Sequence, residues 1–325
     1  MNNLAEVASR LFSARRLLIC GHIMPDGDCL GSVLALGMAL EQLGKEVTMA
    51  GPDPVPSIYR FLPSSERFLV GKLPENNFDT IVVLDCSVPE RLGDSYRVMV
   101  EGGATVVVID HHQGPVSFGT CRYIDVKASA VGEILYDLFK IMNIGINTDI
   151  ATCLYTAIVT DTGSLRYDNV SPGTHRKIAE LLETGLPAAT INTLIYEEKP
   201  KEAVFLLGAA LKTLSISDCG RVSWMNVTRE MLERVGARDE HAEGLINYTR
   251  SIKGVEIGLL FHEMVDGRWK VSFRSKSLVD VSKLAAVFGG GGHRRAAGCV
   301  MRGQAESIRR EVITAALAAI REAGE

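Results

Sequence analysis

Short apolar runs alternate with helical patterns through the first half of the chain. Residues 16–21 (RLLICG), 45–50 (KEVTMA), 80–84 (TIVVL) and 105–109 (TVVVI) read as strands. The continuous β-branched runs at 80–84 and 105–109 suit strands buried on both faces, as in a parallel sheet covered by helices. Residues 32–43 between the first two runs have helical spacing and end at Gly44. The alternation predicts an α/β layered domain with helices on both faces. From residue 129 the pattern turns helical, with i, i+3/i+4 apolar spacing in 129–142, 149–160 and 174–184. The charged, proline-containing stretch EEKPK marks a domain boundary. The expected organisation is therefore a first domain at 1–196, a linker at 197–201 and a second domain at 202–325. The second domain opens on a helix at 202–213 and turns β-rich. Strands are expected at 221–227, 254–262 and 269–274, and helices at 228–235, 241–251, 281–288 and 305–323. That is a smaller α+β domain, with an active-site cleft expected between the two.

The residues just after each apolar run of the first domain are chemically uniform. After LLIC come His22, Asp26 and Asp28; after TIVVL comes Asp85; after TVVVI come Asp110, His111 and His112; after the helical YTAIVT comes Asp161. In open α/β sheets the functional crevice lies at the carboxyl ends of the strands, and the first three segments would put their polar groups on that edge. Asp26, Asp28, Asp85 and Asp161 brought together carry four negative charges. Like charges at close range force some carboxylates to take up protons unless cations balance them. Two divalent cations would, with His22 and His111 adding neutral nitrogen donors. Mixed oxygen and imidazole donors suit Mn²⁺ best, with Mg²⁺ and Co²⁺ as alternatives. Paired cations ~3.5–4 Å apart are a known arrangement for phosphoester hydrolysis. Each segment alone has a plainer reading: Asp26-Gly27-Asp28 as a solvated turn, Asp85 as a helix cap. Their joint occurrence favours the chemical one.

Composition narrows the partners. The net charge is −4, which is not the basic footprint of a protein that grips long nucleic acid. No uncharged stretch is long enough for a membrane span, and the N-terminal segment lacks a secretory pattern. The seven cysteines are scattered without a CxxC pair, as expected for reduced thiols in a cytoplasmic protein. No P-loop, GxSxG elbow or catalytic cysteine signature is present.

The order H-x-x-x-D-x-D, D, D-H-H, D-T-G resembles the DHH phosphoesterase superfamily. The segment Gly289-Gly290-Gly291-Gly292-His293-Arg294-Arg295-Ala296-Ala297-Gly298 is similar to the signature of its associated C-terminal domain. Within that superfamily, the length and domain count are most similar to those of the nano-RNA hydrolase and pAp phosphatase group. The resemblance implies that His22, Asp26 and Asp85 hold one metal and Asp28, Asp85, His111 and Asp161 the other, with Asp85 bridging. It implies that His112 faces the scissile phosphate and that Asp110 orients its neighbours. Met24 and Cys29 depart from the usual first motif, at positions that are not ligands. In the second domain, successive glycine N–H groups can form an anion nest. Gly290, Gly291, Gly292, His293 and Arg294 are thus candidate phosphate contacts, with Arg274, Ser275 and Arg166 as further ones. Trp224, Tyr248 and Phe288 could stack on a base, although core packing suits each better.

The implied activity is metal-dependent hydrolysis of short oligoribonucleotides, of 3′-phosphoadenosine 5′-phosphate (pAp), or of both. Phosphodiesterase action on cyclic or linear dinucleotides (cyclic di-AMP, pApA) is the alternative. A pyrophosphatase or polyphosphatase and a non-catalytic nucleotide-binding protein rank below. Expected partners are short RNA or small nucleotides, with neither membrane nor long duplex; the resemblance also suggests a homodimer.

Overall fold

The structure is a computed structural model that describes residues 2–71, 78–100, 102, 104–114, 116 and 118–324, the side chain of His293 excepted. The chain divides into two compact units, Met1–Glu198 and Lys199–Glu325. Among the described residues no helix is long and apolar enough to cross a membrane.

The first unit runs α1 (Leu4–Ser13), β1 (Arg16–Cys20), α2 (Gly27–Gln42), β2 (Glu46–Gly51), β3 (Leu69–Val70), β4 (Thr80–Leu84), α3 (Asp94–Val100), β5 (Thr105–Asp110) and β6 (Cys121–Ile124). It then turns helical with α4 (Val131–Ile141), α5 (Thr148–Asp161), α6 (Pro172–Leu182) and α7 (Ala188–Asn192). The six strands form one parallel sheet in the order β3-β2-β1-β4-β5-β6. β4 is buried at all five positions, which is why its sequence shows no polar alternation. Leu17 and Ile19 join the larger core, with helices α1, α2, α4 and α5, whereas Leu18 and Cys20 join a smaller core with Tyr96 of α3. The strand order reverses between β1 and β4, so the topological switch point lies between these two strands.

Helix α2 starts five residues before the expected position. Asp26 caps it, its Oδ1 accepting from Cys29 N at 3.1 Å. The helix is buried along most of its length because it lies against α5 through glycines. A Cβ on Gly31 would fall 2.4 Å from the Cys153 carbonyl, and one on Gly27 would run into Thr160. A Cβ on Gly132, at the start of α4, would meet Ala157 of α5 at 2.6 Å. These close approaches bring the start of α2, the start of α4 and the end of α5 to one place.

The second unit comprises α8 (Lys201–Leu211), β7 (Ser215–Ile216), β8 (Val222–Val227), α9 (Arg229–Val235), α10 (Ile246–Arg250), β9 (Ile257–Glu263), β10 (Trp269–Ser275), α11 (Val281–Ala286), β11 (Gly291–His293), β12 (Ala296–Met301) and α12 (Ala305–Gly324). Its mixed sheet has the order β11-β12-β10-β9-β8-β7. The helix expected over 241–251 is interrupted: a 3₁₀ turn at Asp239–Ala242 and α10 are separated at Gly244, whose φ of +79° breaks the helix. The glycine run is not an open loop. Its second half is edge strand β11, with Gly291 opposite Gly298 and Gly292 opposite Ala297.

Candidate metal centre and active site

Three strands end in the polar groups of the site. His22 comes after β1, Asp85 after β4, and Asp110 closes β5 ahead of His111 and His112. Asp28 comes from the first turn of α2 and Asp161 from the last residue of α5, joined through the close glycine contacts between these helices. All these residues but Asp26, His112 and Asp161 are buried, and Asp161 keeps only a fifth of its side chain exposed.

Among the described residues, His22, Asp26 and Asp85 can offer ligand atoms to one ion and Asp28, His111 and Asp161 to another, and Asp85 also clusters with Asp110, His111 and His112. His22 Nε2 lies 3.2 Å from Asp85 Oδ2 and 3.9 Å from Asp26 Oδ2. His111 Nε2 lies 3.6 Å from Asp85 Oδ1, 3.7 Å from Asp28 Oδ2 and 3.5 Å from Asp161 Oδ2. Each oxygen of Asp85 thus faces a different group. Both imidazoles are oriented the same way. Nδ1 of His22 donates to the Ile23 carbonyl at 2.7 Å and Nδ1 of His111 to the Ala128 carbonyl at 3.1 Å. That fixes Nε2 of each as the atom that enters the carboxylate cluster.

Two backbone features aim Asp85 and its surroundings. Asp85 has a φ of +55°, and Met24, close to His22 in the same loop, has a φ of +51°. Such conformations store strain and recur where the surrounding structure over-determines them. The Asp85 N–H donates to the Ile109 carbonyl at 3.1 Å and the Met24 N–H to Asp53 Oδ2 at 2.7 Å. After Asp161, Gly163, Ser164 and Leu165 all have positive φ, a left-handed turn closed on Thr162 by Leu165 N at 3.1 Å and Arg166 N at 3.0 Å.

Asp110 lies behind this cluster. Its Oδ1 accepts from His111 N at 2.7 Å, His112 N at 3.2 Å and His112 Nδ1 at 2.7 Å, while Oδ2 accepts from Ser87. Burial opposes the charge on His112, but the Asp110 hydrogen bond and the Asp85 charge override it and raise the ring's pKa.

The electrostatics match a site built for cations. Burial and the neighbouring Asp85 push the Asp28 carboxyl well above the usual carboxylate range. Burial, with Asp26 and Asp85 adding to it and His111 opposing, pushes Asp161 up to about 6. Burial works against the Asp85 charge, yet the His111 and His22 rings hold that carboxyl well below its ordinary value. His111 in turn is raised well above its ordinary value against the effect of burial, by Asp85, Asp161 and Asp28. Without cations, protons must do the neutralising. Asp85 Oδ1 is buried without a hydrogen bond among the described residues, which leaves a carboxylate lone pair aimed at the second group. Oxygen and imidazole donors, in two groups sharing one carboxylate, fit two divalent cations.

The remaining candidates come from other segments. Arg166 is exposed and its Nε donates to the Gly163 carbonyl at 2.6 Å. In the second unit, Arg274 of β10 and His293 of β11 both register with Ala296 of β12, so they sit on the two strands that flank β12, at the same level of the sheet. Arg294 is exposed in the turn between β11 and β12. Gly290 and Gly292 permit close backbone approach: added Cβ atoms would strike the Gly298 and Ala296 carbonyls. The side chain of His293 lies outside the described residues. Ser275 is fully buried and its hydroxyl donates to the Val279 carbonyl at 2.7 Å, so that side chain is committed inside the unit. Phe288 stacks against Phe273, and Trp224 packs on the same core, while Tyr248 is exposed. Sequence reasoning passed over Ser87, Ser129, Glu133 and Asn169. The one signal that pointed to them was Glu133, an acidic residue inside the apolar helical run VGEILYDLF.

Residues 16–158 match the family model for the DHH family, N-terminal domain, and residues 226–323 match that for the DHHA1 domain. A bifunctional oligoribonuclease and PAP phosphatase of Thermus thermophilus is 34% identical over 289 residues, covering 88% of this chain and 84% of the relative. A protein of the same description from Bacillus subtilis is 28% identical over 288 residues, covering 87% and 88%. An exopolyphosphatase-related protein from Bacteroides fragilis superposes with a TM-score of 0.86 at 25% identity, over 98% of this chain and 96% of that one. With both domain models matched and the Thermus relative 34% identical over most of both chains, the chain belongs to the DHH phosphoesterase family, its second unit carrying the DHHA1 domain.

Proposed function

We propose that this chain is a two-metal hydrolase that cleaves phosphoester bonds in short oligoribonucleotides and removes the 3′ phosphate of pAp. The observation that carries the reading is the division of Asp85, one oxygen toward His22 and Asp26, the other toward His111. His22, Asp26 and Asp85 would hold one cation; Asp28, Asp85, His111 and Asp161 the other. Mn²⁺ is the proposed metal, on the mixed nitrogen and oxygen donors. A bound pair supplies an activated water near neutral pH and positive charge against the phosphoryl oxygens. The chain's own residues do the rest. The Ile23 and Ala128 carbonyls hold the two imidazoles in one tautomer. His112, its Nδ1 tied to Asp110, acts through Nε2 as a donor to the phosphoryl group. Arg274, His293, Arg294 and the amides of Gly290, Gly291 and Gly292 bind a further phosphate or the sugar, supported by their shared end of the second sheet. Arg166 is a further phosphate contact in this reading. The choice of short RNA and pAp is supported by the Thermus and Bacillus relatives, described as acting on both.

The test is hydrolysis of RNA from dinucleotides to long oligomers, of pAp, and of pApA and cyclic di-AMP, with Mn²⁺, Mg²⁺ and Co²⁺ in turn. Short RNA and pAp should turn over fastest with Mn²⁺. Asp85→Asn and Asp161→Asn should each lower the rate by about 10³-fold or more on the scale of lost electrostatic stabilisation. Near wild-type turnover by either variant would overturn the dimetal assignment. Preference for a cyclic dinucleotide would replace the substrate.

A further inference from the structure

Residues 128–133, from the end of the β6–α4 connection into the first turn of α4, touch two residues of one proposed metal group, His111 and Asp28, and reach a third, Asp161, through Asn169. The Ala128 carbonyl accepts from His111 Nδ1 at 3.1 Å. The Ser129 carbonyl accepts from Asn169 Nδ2 at 3.1 Å, and the same amide nitrogen donates to the Asp161 carbonyl at 3.2 Å. Both partners of Asn169 are carbonyl oxygens, so the nitrogen is the atom that must face them. The Val131 and Gly132 amides donate to Asp28, at 2.7 Å to Oδ2 and 3.0 Å to Oδ1. These are N–H groups that a helix start leaves without an intrahelical partner. The N-cap of α4 is Ala130, whose side chain caps nothing, so Asp28 caps the helix from another element.

One buried carboxylate fastens this segment. Glu133 Oε2 accepts from Ser129 N at 2.9 Å, from Ser129 Oγ at 2.6 Å and from Thr174 Oγ1 at 3.3 Å. Its Oε1 accepts from Lys177 Nζ at 3.2 Å. Ser129 and Thr174 are fully buried, and Glu133 is 6% exposed. Thr174 belongs to the reciprocal cap of α6 with Ser171. The fastening therefore ties the 128–132 backbone to a second helix. Four donors converge on Glu133, three on Oε2 and Lys177 on Oε1; a glutamine would keep the first three on its amide oxygen and oppose only Lys177, whereas an alanine removes all four.

We propose that Glu133, acting through Ser129 and assisted by Asn169, is the positioning residue for the Asp28–His111–Asp161 metal group. It sets the Ala128 carbonyl that orients the His111 ring, the amides that hold the Asp28 carboxylate, and the link to the end of α5. It touches neither substrate nor ion. The hydrogen bonds of Glu133, Ser129 and Asn169 run to that group and to α6, and none reaches His22, Asp26 or Asp85 among the described residues. Its influence therefore falls on one of the two groups. The inference rests on the proposed dimetal reading. Asn169 offers an independent handle, because its removal cuts only the Ser129–Asp161 link.

The experiment is calorimetric titration of the chelator-stripped protein with Mn²⁺, comparing wild type, Glu133→Ala, Asn169→Ala and Asp26→Asn, with thermal unfolding of each metal-free protein. Wild type should bind two ions. Glu133→Ala should weaken one of them by ~10–100-fold, the size seen when a partner orienting a ligand is lost, and leave the other within about twofold. Asp26→Asn should weaken the opposite ion. Asn169→Ala should weaken the same ion as Glu133→Ala by a smaller factor, and it carries the test if Glu133→Ala does not fold. Unchanged isotherms in the folded variants, or equal weakening of both ions, would overturn the positioning role while leaving two metals in place. A wild type that binds no divalent ion would instead overturn the dimetal reading and this inference with it.

Discussion

Asp85 holds a left-handed backbone at the end of a strand whose neighbours are all extended. Non-glycine residues in that region cost on the order of 1 kcal/mol or more. Here the strain turns the side chain between two imidazoles. The same economy of residues appears at Asp26, whose Oδ1 caps α2 while Oδ2 faces His22. Turn and ligand were rival readings of this aspartate in the sequence, and the carboxylate's two oxygens let it act at once as a local cap and as a donor. Asp110 and His112 give a prediction at this scale. His112→Gln should lower kcat by about 10²–10³-fold, the usual loss of one donor to developing charge, with Mn²⁺ affinity within about twofold. Asp110→Asn leaves an acceptor for His112 Nδ1 but removes the carboxylate charge that helps raise the His112 pKa. If the protonated ring is the active form, the alkaline limb of the kcat–pH profile should move to lower pH. A limb that stays in place would remove His112 as the donor.

At the scale of elements, the parallel strands were legible because burial on both faces leaves an uninterrupted β-branched run. The 80–84 run matches β4 at both ends. Less was readable where the signal was short or carried by glycine. β6 has four residues, three of them half-buried, and β11 is an edge strand of Gly-Gly-His. α1 reads as an unremarkable polar terminus until its buried Val7, Ala8 and Leu11 meet the core. The glycines of α2 looked like interruptions in an apolar stretch, yet Gly31 is where the helix meets the α5 backbone. Gly31→Ala puts a methyl 2.4 Å from the Cys153 carbonyl. It should destabilise the protein by about 1–3 kcal/mol, the range for overpacking. It should also weaken Mn²⁺ binding, since α2 carries Asp28 and α5 carries Asp161. Chemical denaturation and metal titration check both, and an unchanged midpoint would mean that the two helices separate freely.

For the molecule as a whole, the acidic cluster ties stability to pH and to metal. Asp161 titrates near 3.8 when unfolded and about 6 when folded, so its contribution is complete below the unfolded value and lost as pH rises through the folded one. His111, raised well above 6.5, contributes below that value and loses it as pH climbs through its folded pKa. Asp85, held low, contributes above its unfolded pKa throughout the neutral range. The metal-free protein should therefore lose stability as pH rises from about 4 to 8, up to about 3 kcal/mol from Asp161 alone. Excess Mn²⁺ should flatten or reverse that trend. Scanning calorimetry at about pH 4.5, 6 and 8 with chelator or metal checks it. A metal-free Tm that rises with pH, or a slope that Asp161→Asn leaves untouched, would contradict the assignment. The donor types and their order were legible from the sequence. Their support was not, because Glu133 and Asn169 act through backbone atoms that carry no residue signature.

The residues proposed to hold the second cation, Asp28, Asp85, His111 and Asp161, sit on pieces of chain that meet only when α2, β4, β5 and α5 are docked. An extended chain offers an incoming ion no more than weak local pairs, and closing the intervening loops carries its own entropy. Small zinc modules are organised by their ion from the outset. Here the polypeptide must acquire its architecture first, and the cations are late arrivals to a finished receptacle.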